Sequence, residues 1–318
     1  MSAPRIEGPC SGLGKAGRPV VECVPNFSEG SDPEIVRKIV RAMQVEDVSL
    51  LDWSLDPDHN RSVVTLAGTP QAIVEAAVRG VGKAVELIDL TLQRGVHPRI
   101  GAADVVPLVP IQGITLQEVA LLAHRVGQEI WKRYHVPVYF YEAAATRPDR
   151  VLLENIRRGQ FEGLSRESTG NTARRPDVGG PSLHPTAGAC AVGARQFLIA
   201  FNVFLDTANV GAARAIAREV RASSGGLAGV KAIGVPVRGR AQVSMNITNF
   251  RATPLGVVYA AVKKAAAHAG VQPERVEIIG LVPEAALEPG SEWMQMATGF
   301  HSQERALERK LESPLAWP

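Results

Sequence analysis

The sequence predicts an α/β (α+β) protein made of two βαββαβ-type subdomains with mixed sheets. Short apolar runs alternate with longer stretches at helical spacing, the pattern of layered sheets and helices. The order of those elements in the first half recurs in the second. Between the copies, residues 145–188 lose periodicity and fill with Arg, Gly, Pro and Ser. A loop-rich stretch of that length in a compact protein marks a linker or a functional segment.

The elements follow in order. "VVECVPNFSEG" is a strand running into a loop, and Ser31 with Glu34 forms a capping-box pattern ahead of a helix that aligns Ile35, Ile39 and Met43. "VSLLDW" and "RSVVTLAG" make a hairpin across the turn residues "DPDHN". Thr69-Pro70 opens a helix to Leu87, "AADVVPLVP" is a strand, Thr115 and Glu118 cap the next helix, and "VPVYFYE" is a strand. The second half repeats this grammar. "RQFLIAFNVFLD" is a strand and "TANVGAARAIAREVRASS" a helix; "VKAIGVPV" and "AQVSMNITNF" form a hairpin. Thr253-Pro254 opens a further helix, and "VEIIGLVP" is the last strand. Both halves read as split-βαβ units, and a cleft between two lobes is a common ligand site. The expected division is a mobile leader over 1–18, subdomains over 19–180 and 181–290, and a tail over 291–318 with a charged helix for packing or partner contact.

Composition bounds the function. The 318 residues are 45% apolar and 21% charged, ordinary values for a globular protein, and the net charge of +3 is too small to imply nucleic acid. Cys10, Cys23 and Cys190 are widely spaced without a C-x-x-C pair, which fits reduced thiols in the cytoplasm. The start has no apolar signal core, and "QFLIAFNVFLD" is interrupted by Asn202, so no membrane partner is expected.

The stretch "RGVHPRIGAADVVPLVP" holds the most informative histidine. His97 stands between Gly95 and Pro98, near Arg99, and Asp104 could orient its imidazole. An ordinary pKa near 6.5 suits proton transfer at neutral pH, although a loop histidine can equally be structural. "DPDHNR" offers three readings: a polar turn, a carboxylate contact through Asn60 and Arg61, or a metal site using Asp58 and His59 with His97 or His184. Metal ranks last because no helical H-x-x-x-H spacing exists. "PNFSEG" presents Asn26 in a loop after a strand. "GGPSLHPTAG" could cradle a ring or phosphate through backbone N–H groups, though it matches neither a P-loop nor a dinucleotide fingerprint. Cys23 and Cys190 lie in apolar runs and read as buried and inert.

"VECVPNFSEG", "HNRSVVT", "HPRIGAADVVP", "VPVYFYEAAA", "IRRGQFEGL", "HPTAGACAVGARQFLIAFNVFLDT", "SSGGLAGVKAIG", "AQVSMNITNF" and "EIIGLVPEAAL" together resemble the formiminotransferase domain family, in order from Val20 to Leu287. The resemblance implies two α/β subdomains enclosing a substrate tunnel, without the cyclodeaminase that animals fuse to it. It implies transfer of a formimidoyl group from N-formimidoyl-L-glutamate to N5 of tetrahydrofolate, a co-substrate, during histidine degradation. The family's catalytic histidine falls on His97. Its folate-binding segment falls on Gly179, Gly180, Pro181, Ser182, Leu183, His184, Pro185, Thr186, Ala187 and Gly188. By hypothesis Asp104 or Asp52 holds the amidinium, and Asn26, Asn60, Arg61 and Arg99 contact the substrate. No metal is expected, and the likeness implies a homodimer. Val96 stands where familiar members carry a glutamate, Ser54 where some carry a carboxylate, and the basic run before His97 is missing. Formyl transfer, or folate-independent hydrolysis of a formimidoyl or formyl amino acid, is therefore the alternative.

Overall fold

The computed structural model describes residues 17–318 apart from Asp58, Val96 and His97. Cys10, most of the expected leader, His97 and the Asp58 of the metal alternative lie outside the described residues. The chain divides into two compact units, one reaching Arg195 and taking in Pro314–Pro318, the other Gln196–Ser313.

The first unit is ordered β1 (Val20–Cys23), β2 (Asn26–Phe27), α1 (Pro33–Ala42), β3 (Val48–Asp56), β4 (Arg61–Gly68), α2 (Pro70–Leu87), β5 (Ala103–Gln112), α3 (Leu116–Tyr134), β6 (Val138–Glu142), α4 (Leu153–Arg157), α5 (Gln160–Glu167) and β7 (Cys190–Ala194). β3 pairs with β4, and β1 and β2 lie in succession between β4 and β5, all antiparallel. β7 then inserts between β5 and β6 and runs parallel to both. Residues 190–194, expected to lead into the second subdomain, are thus a strand of the first sheet. Their small side chains hid that role: all five are buried, and a Cβ on Gly193 would lie 2.4 Å from the Tyr141 ring.

Period-2 alternation sorts the sheet's two faces. Cys23, Leu66, Leu108, Val192 and Phe140 share the face that the helices cover, where Gly127 of α3 lets the Phe140 ring approach to 2.7 Å from its would-be Cβ. The same registers put Glu22, Asn26, Asp52, Arg61, Thr65 and Tyr141 on the opposite face. One side of this sheet is therefore apolar core, and the other is polar.

The second unit contains β8 (Ile199–Leu205), α6 (Val210–Val220), β9 (Val230–Val237), β10 (Arg240–Ile247), α7 (Leu255–His268), β11 (Pro273–Ile279), α8 (Glu292–Met296), α9 (Ser302–Arg305) and α10 (Leu307–Glu312). Its strand order is β11-β8-β10-β9, antiparallel throughout rather than mixed. The α6 crossover leaves a gap beside β8, and the hairpin strand β10 fills it, so no parallel neighbours remain. The tail forms three short helices where one was expected. Trp293 of α8 is fully buried with its ring edge-on to Phe201 at 5.6 Å, which makes the tail part of the core.

Most helix boundaries agree with the sequence signals. The first differs: Asp32, not Ser31, accepts from the N–H groups of Glu34 (2.8 Å) and Ile35 (3.4 Å), because Pro33 fixes the first turn and makes its predecessor the cap. At α3 the expected box forms, with Thr115 Oγ1 accepting from Glu118 N (3.2 Å) and Glu118 accepting from Thr115 N (2.8 Å). Thr115→Ala should cost about 1 kcal/mol of unfolding free energy and Thr115→Ser much less, as read from urea denaturation midpoints.

Candidate active site

The loop after α2 is fastened along nearly its whole length. The Asp89 carboxylate accepts from the Thr91 N–H and hydroxyl, and Leu90 N donates to Thr186 O at 2.8 Å. Gly95 fits against the β3–β4 turn, where a Cβ would come 2.6 Å from His59 O. Asn60, at φ +49°, accepts from Gly30 N (2.9 Å) and donates to Arg94 O (2.6 Å). Arg99 is buried; its guanidinium donates to the Gln93 side chain (2.6 Å), to the Leu90 and Gln93 carbonyls (both 3.3 Å) and to Glu162 (3.0 Å). Arg99 and Asn60, expected to contact substrate carboxylates, both make hydrogen bonds within the protein. They hold the chain on both sides of His97.

Beyond this loop, Ile100 N donates to the buried Asp104 carboxylate at 2.7 Å, and Ser28 Oγ donates to Gly101 O at 2.7 Å. Asp104 also accepts from Arg157, the last residue of α4. Asp104, expected to orient the imidazole, is thus tied to the backbone of Ile100 and to Arg157.

The segment 179–188 closes against that loop. His184 and Gly188 exchange two backbone hydrogen bonds (2.9 and 3.0 Å), Ala102 N donates to Ala187 O (2.9 Å), and Ala189 N donates to Ile100 O (2.9 Å). Gly188 is required here: its φ is +69°, and a Cβ would sit 2.2 Å from Ile100 O. The His184 ring accepts through Nδ1 from Ala187 N (3.0 Å) and, more weakly, Thr186 N (3.4 Å). Burial, and then the nearby His135, lower its pKa below the ordinary 6.5. Upstream, the buried Arg150–Asp177 pair (2.5 Å) anchors the approach to Gly179, and Asp177 also accepts from Phe140 N at 2.8 Å. Two segments far apart in sequence thus meet: the one bearing His97 and the one expected to bind folate.

Among the other expected residues, Asn26 is 4% exposed, and Arg61 lies farther along the same polar face. Burial, reinforced by the charge of Arg157, holds the Arg61 pKa down to about 10. Asp52 is half-buried beside Thr65. His59 Nδ1 is 2.7 Å from Asp56. Among the described residues no three His, Cys, Asp or Glu side chains gather as metal ligands. Cys23 and Cys190 are free and buried, and burial pushes both thiols up.

Comparison with known proteins assigns the chain to a family. Models of the formiminotransferase domain match over residues 20–195 (its N-terminal subdomain) and 200–310. The chain belongs to the formiminotransferase domain family. It is 44% identical to a glutamate formimidoyltransferase of Streptococcus pyogenes over 92% of this chain and 98% of that protein. A glutamate formimidoyltransferase of Thermoplasma acidophilum is 43% identical over 92% of this chain and 97% of its own length. The formimidoyltransferase-cyclodeaminase of Mus musculus is 39% identical over 84% of this chain but only 51% of itself.

Within this formiminotransferase chain, two groups escaped the sequence reading. Arg157 sits in a basic pair that reads as surface charge, yet its side chain is only 16% exposed. Glu22 is buried on the polar face; burial pushes its carboxyl up to about 7, with Arg195 opposing. A single acid in an apolar strand gave no signal of either.

Two outcomes follow from the closed segment. Gly188→Ala should lower the melting temperature clearly, since the left-handed backbone alone costs an alanine about 1–2 kcal/mol, whereas Gly170→Ala, with open space around it, should not. Because His184 has a lowered pKa when folded, its contribution is fully present above pH 6.5 and is lost as pH falls through the folded value. Melting curves from pH 8 to 5 should therefore show a smaller acid loss in His184→Asn, whose Oδ1 can keep the Ala187 contact without titrating.

Proposed function

We propose that the protein transfers a formimidoyl group from N-formimidoyl-L-glutamate to N5 of tetrahydrofolate and releases L-glutamate, as in histidine degradation. The names of the relatives support the reaction. The observation that carries the choice of site is the hydrogen-bonded junction of 100–102 with 187–189, which sets the expected catalytic loop against the expected folate segment.

The chemistry needs one proton carrier and two held substrates. N5 attacks the electrophilic amidinium carbon, forming a C–N bond and a tetrahedral centre. His97 takes the proton that N5 then sheds and returns it to the glutamate nitrogen as the second C–N bond breaks. An imidazole titrating near neutrality suits both transfers. Fixing both substrates supplies the entropic part of the acceleration. Arg99 and Asn60 act here by positioning the loop, while Arg61 and Asn26 contact the donor. Asp104 and Asp52 provide negative charge toward the amidinium, and the backbone of Gly179–Gly188 lines the folate. The working form is a cytoplasmic homodimer; buried reduced thiols accord with that compartment.

Turnover of N-formimidoyl-L-glutamate should require tetrahydrofolate and fall by about 10²-fold or more in His97→Ala, the scale of a lost general acid–base. Formation of 5-formimidoyltetrahydrofolate is followed spectroscopically. Turnover without folate would point to hydrolysis instead, and turnover of N-formyl-L-glutamate alone would change the cargo.

A further inference from the structure

Among the described residues, a buried atom of Arg157 and one of Asn26 have no hydrogen-bond partner. Arg157 donates through Nη2 to Asp104, yet its Nε is buried without an acceptor. Asn26 donates through Nδ2 to Val24 O at 2.7 Å, yet its Oδ1 is buried without a donor. A buried polar group left unpaired costs about 1–3 kcal/mol, and in native proteins such a group is met by water, an ion or a ligand.

The two orphans adjoin the same residue. Asn26 pairs with Val105 and Phe27 with Ala103, so Asp104 is the extra residue of the bulge between these contacts. Arg157 is seated on that carboxylate. Arg61, two residues along β4 from the Asn26 partner Val63, projects from the same face and feels the Arg157 charge. Arg61 also feels the charges of Asp104 and Asp56, so the cluster is balanced, and what it offers an incoming carboxylate is the unused Nε donor of the Arg157 fork.

We infer that Arg157 and Asn26 form a subsite for an N-acylated or N-formimidoylated α-amino acid, Arg157 binding its α-carboxylate and Asn26 accepting from the neighbouring N–H. An inorganic anion would satisfy the guanidinium and leave Asn26 Oδ1 unpaired. An α-carboxylate with a nitrogen one carbon away supplies the acceptor and the donor together. The identity of the donor rests on the proposed transfer, but the subsite does not, because it is defined by binding.

Calorimetric titration tests it with N-formyl-L-glutamate and with glutarate, which lacks the N–H. Wild type should bind N-formyl-L-glutamate more tightly than glutarate. Arg157→Lys keeps the charge beside Asp104 but loses the planar fork, and should weaken both ligands about tenfold or more while leaving tetrahydrofolate binding unchanged. Asn26→Leu should weaken N-formyl-L-glutamate and spare glutarate. In steady-state kinetics Arg157→Lys should raise the donor KM and leave the tetrahydrofolate KM in place. Melting curves identify any variant that fails to fold, in which case the other variant decides. Wild-type affinity in Arg157→Lys, equal losses for both ligands in Asn26→Leu, or no binding by wild type at millimolar ligand each overturns the subsite. Binding with no transfer would instead remove the proposed reaction and leave the subsite standing.

Discussion

The candidate site depends on a short run of backbone hydrogen bonds between 100–102 and 187–189, made possible by glycine at two places. Gly188 supplies a left-handed turn, and Gly101 lets Ala189 O come within 2.0 Å of where a Cβ would be. Side chains could not fasten these segments so closely, because each would have to fill the space the other backbone occupies. Arg99 then secures the loop from inside, joining Gln93, the Leu90 carbonyl and Glu162 around one guanidinium. The described parts of the loop on either side of residues 96 and 97, held this way, have little conformational freedom left to lose on binding a ligand.

The sheet of the first unit makes complementary use of its alternation. Its helix side is a continuous apolar core, while its other side places Glu22, Asn26, Arg61 and Tyr141 where an ordinary two-layer protein would expose or bury hydrocarbon. Burial raises the Tyr141 hydroxyl to about 12 and holds the Arg61 guanidinium down, so this face is polar in composition yet poorly solvated. Polar groups in such a place are costly unless they are paired, and Tyr141 is hydrogen-bonded to Arg195 within the face itself.

Much of this was legible in the residues. The α2 boundaries at Pro70 and Leu87, the Thr115 capping box and the β3–β4 hairpin followed from local chemistry, which one stretch of chain can express by itself. β7 did not, because Ala and Gly have weak strand preference and its place depends on β5 and Tyr141. Among the site residues, type and vicinity were readable for Asn60, Arg99 and Asp104, but not what they touch. Their partners, Gly30, Glu162 and Arg157, are 30, 63 and 53 residues away in the chain. Long-range pairing leaves no local period, and that is also why Arg157 went unnoticed.

The second unit is an insertion in the first. Leu315 N donates to Leu50 O at 2.8 Å, and Arg41 donates to the Pro318 carbonyl, so the chain leaves the first unit at Arg195 and comes back to it after Ser313. During synthesis β3 must wait on that edge position until everything through α10 has emerged. An unpaired strand edge is an invitation to another chain. Residues 314–318 therefore act as a late-arriving edge guard, and the newborn chain is most exposed to mispairing while its second unit is still being made.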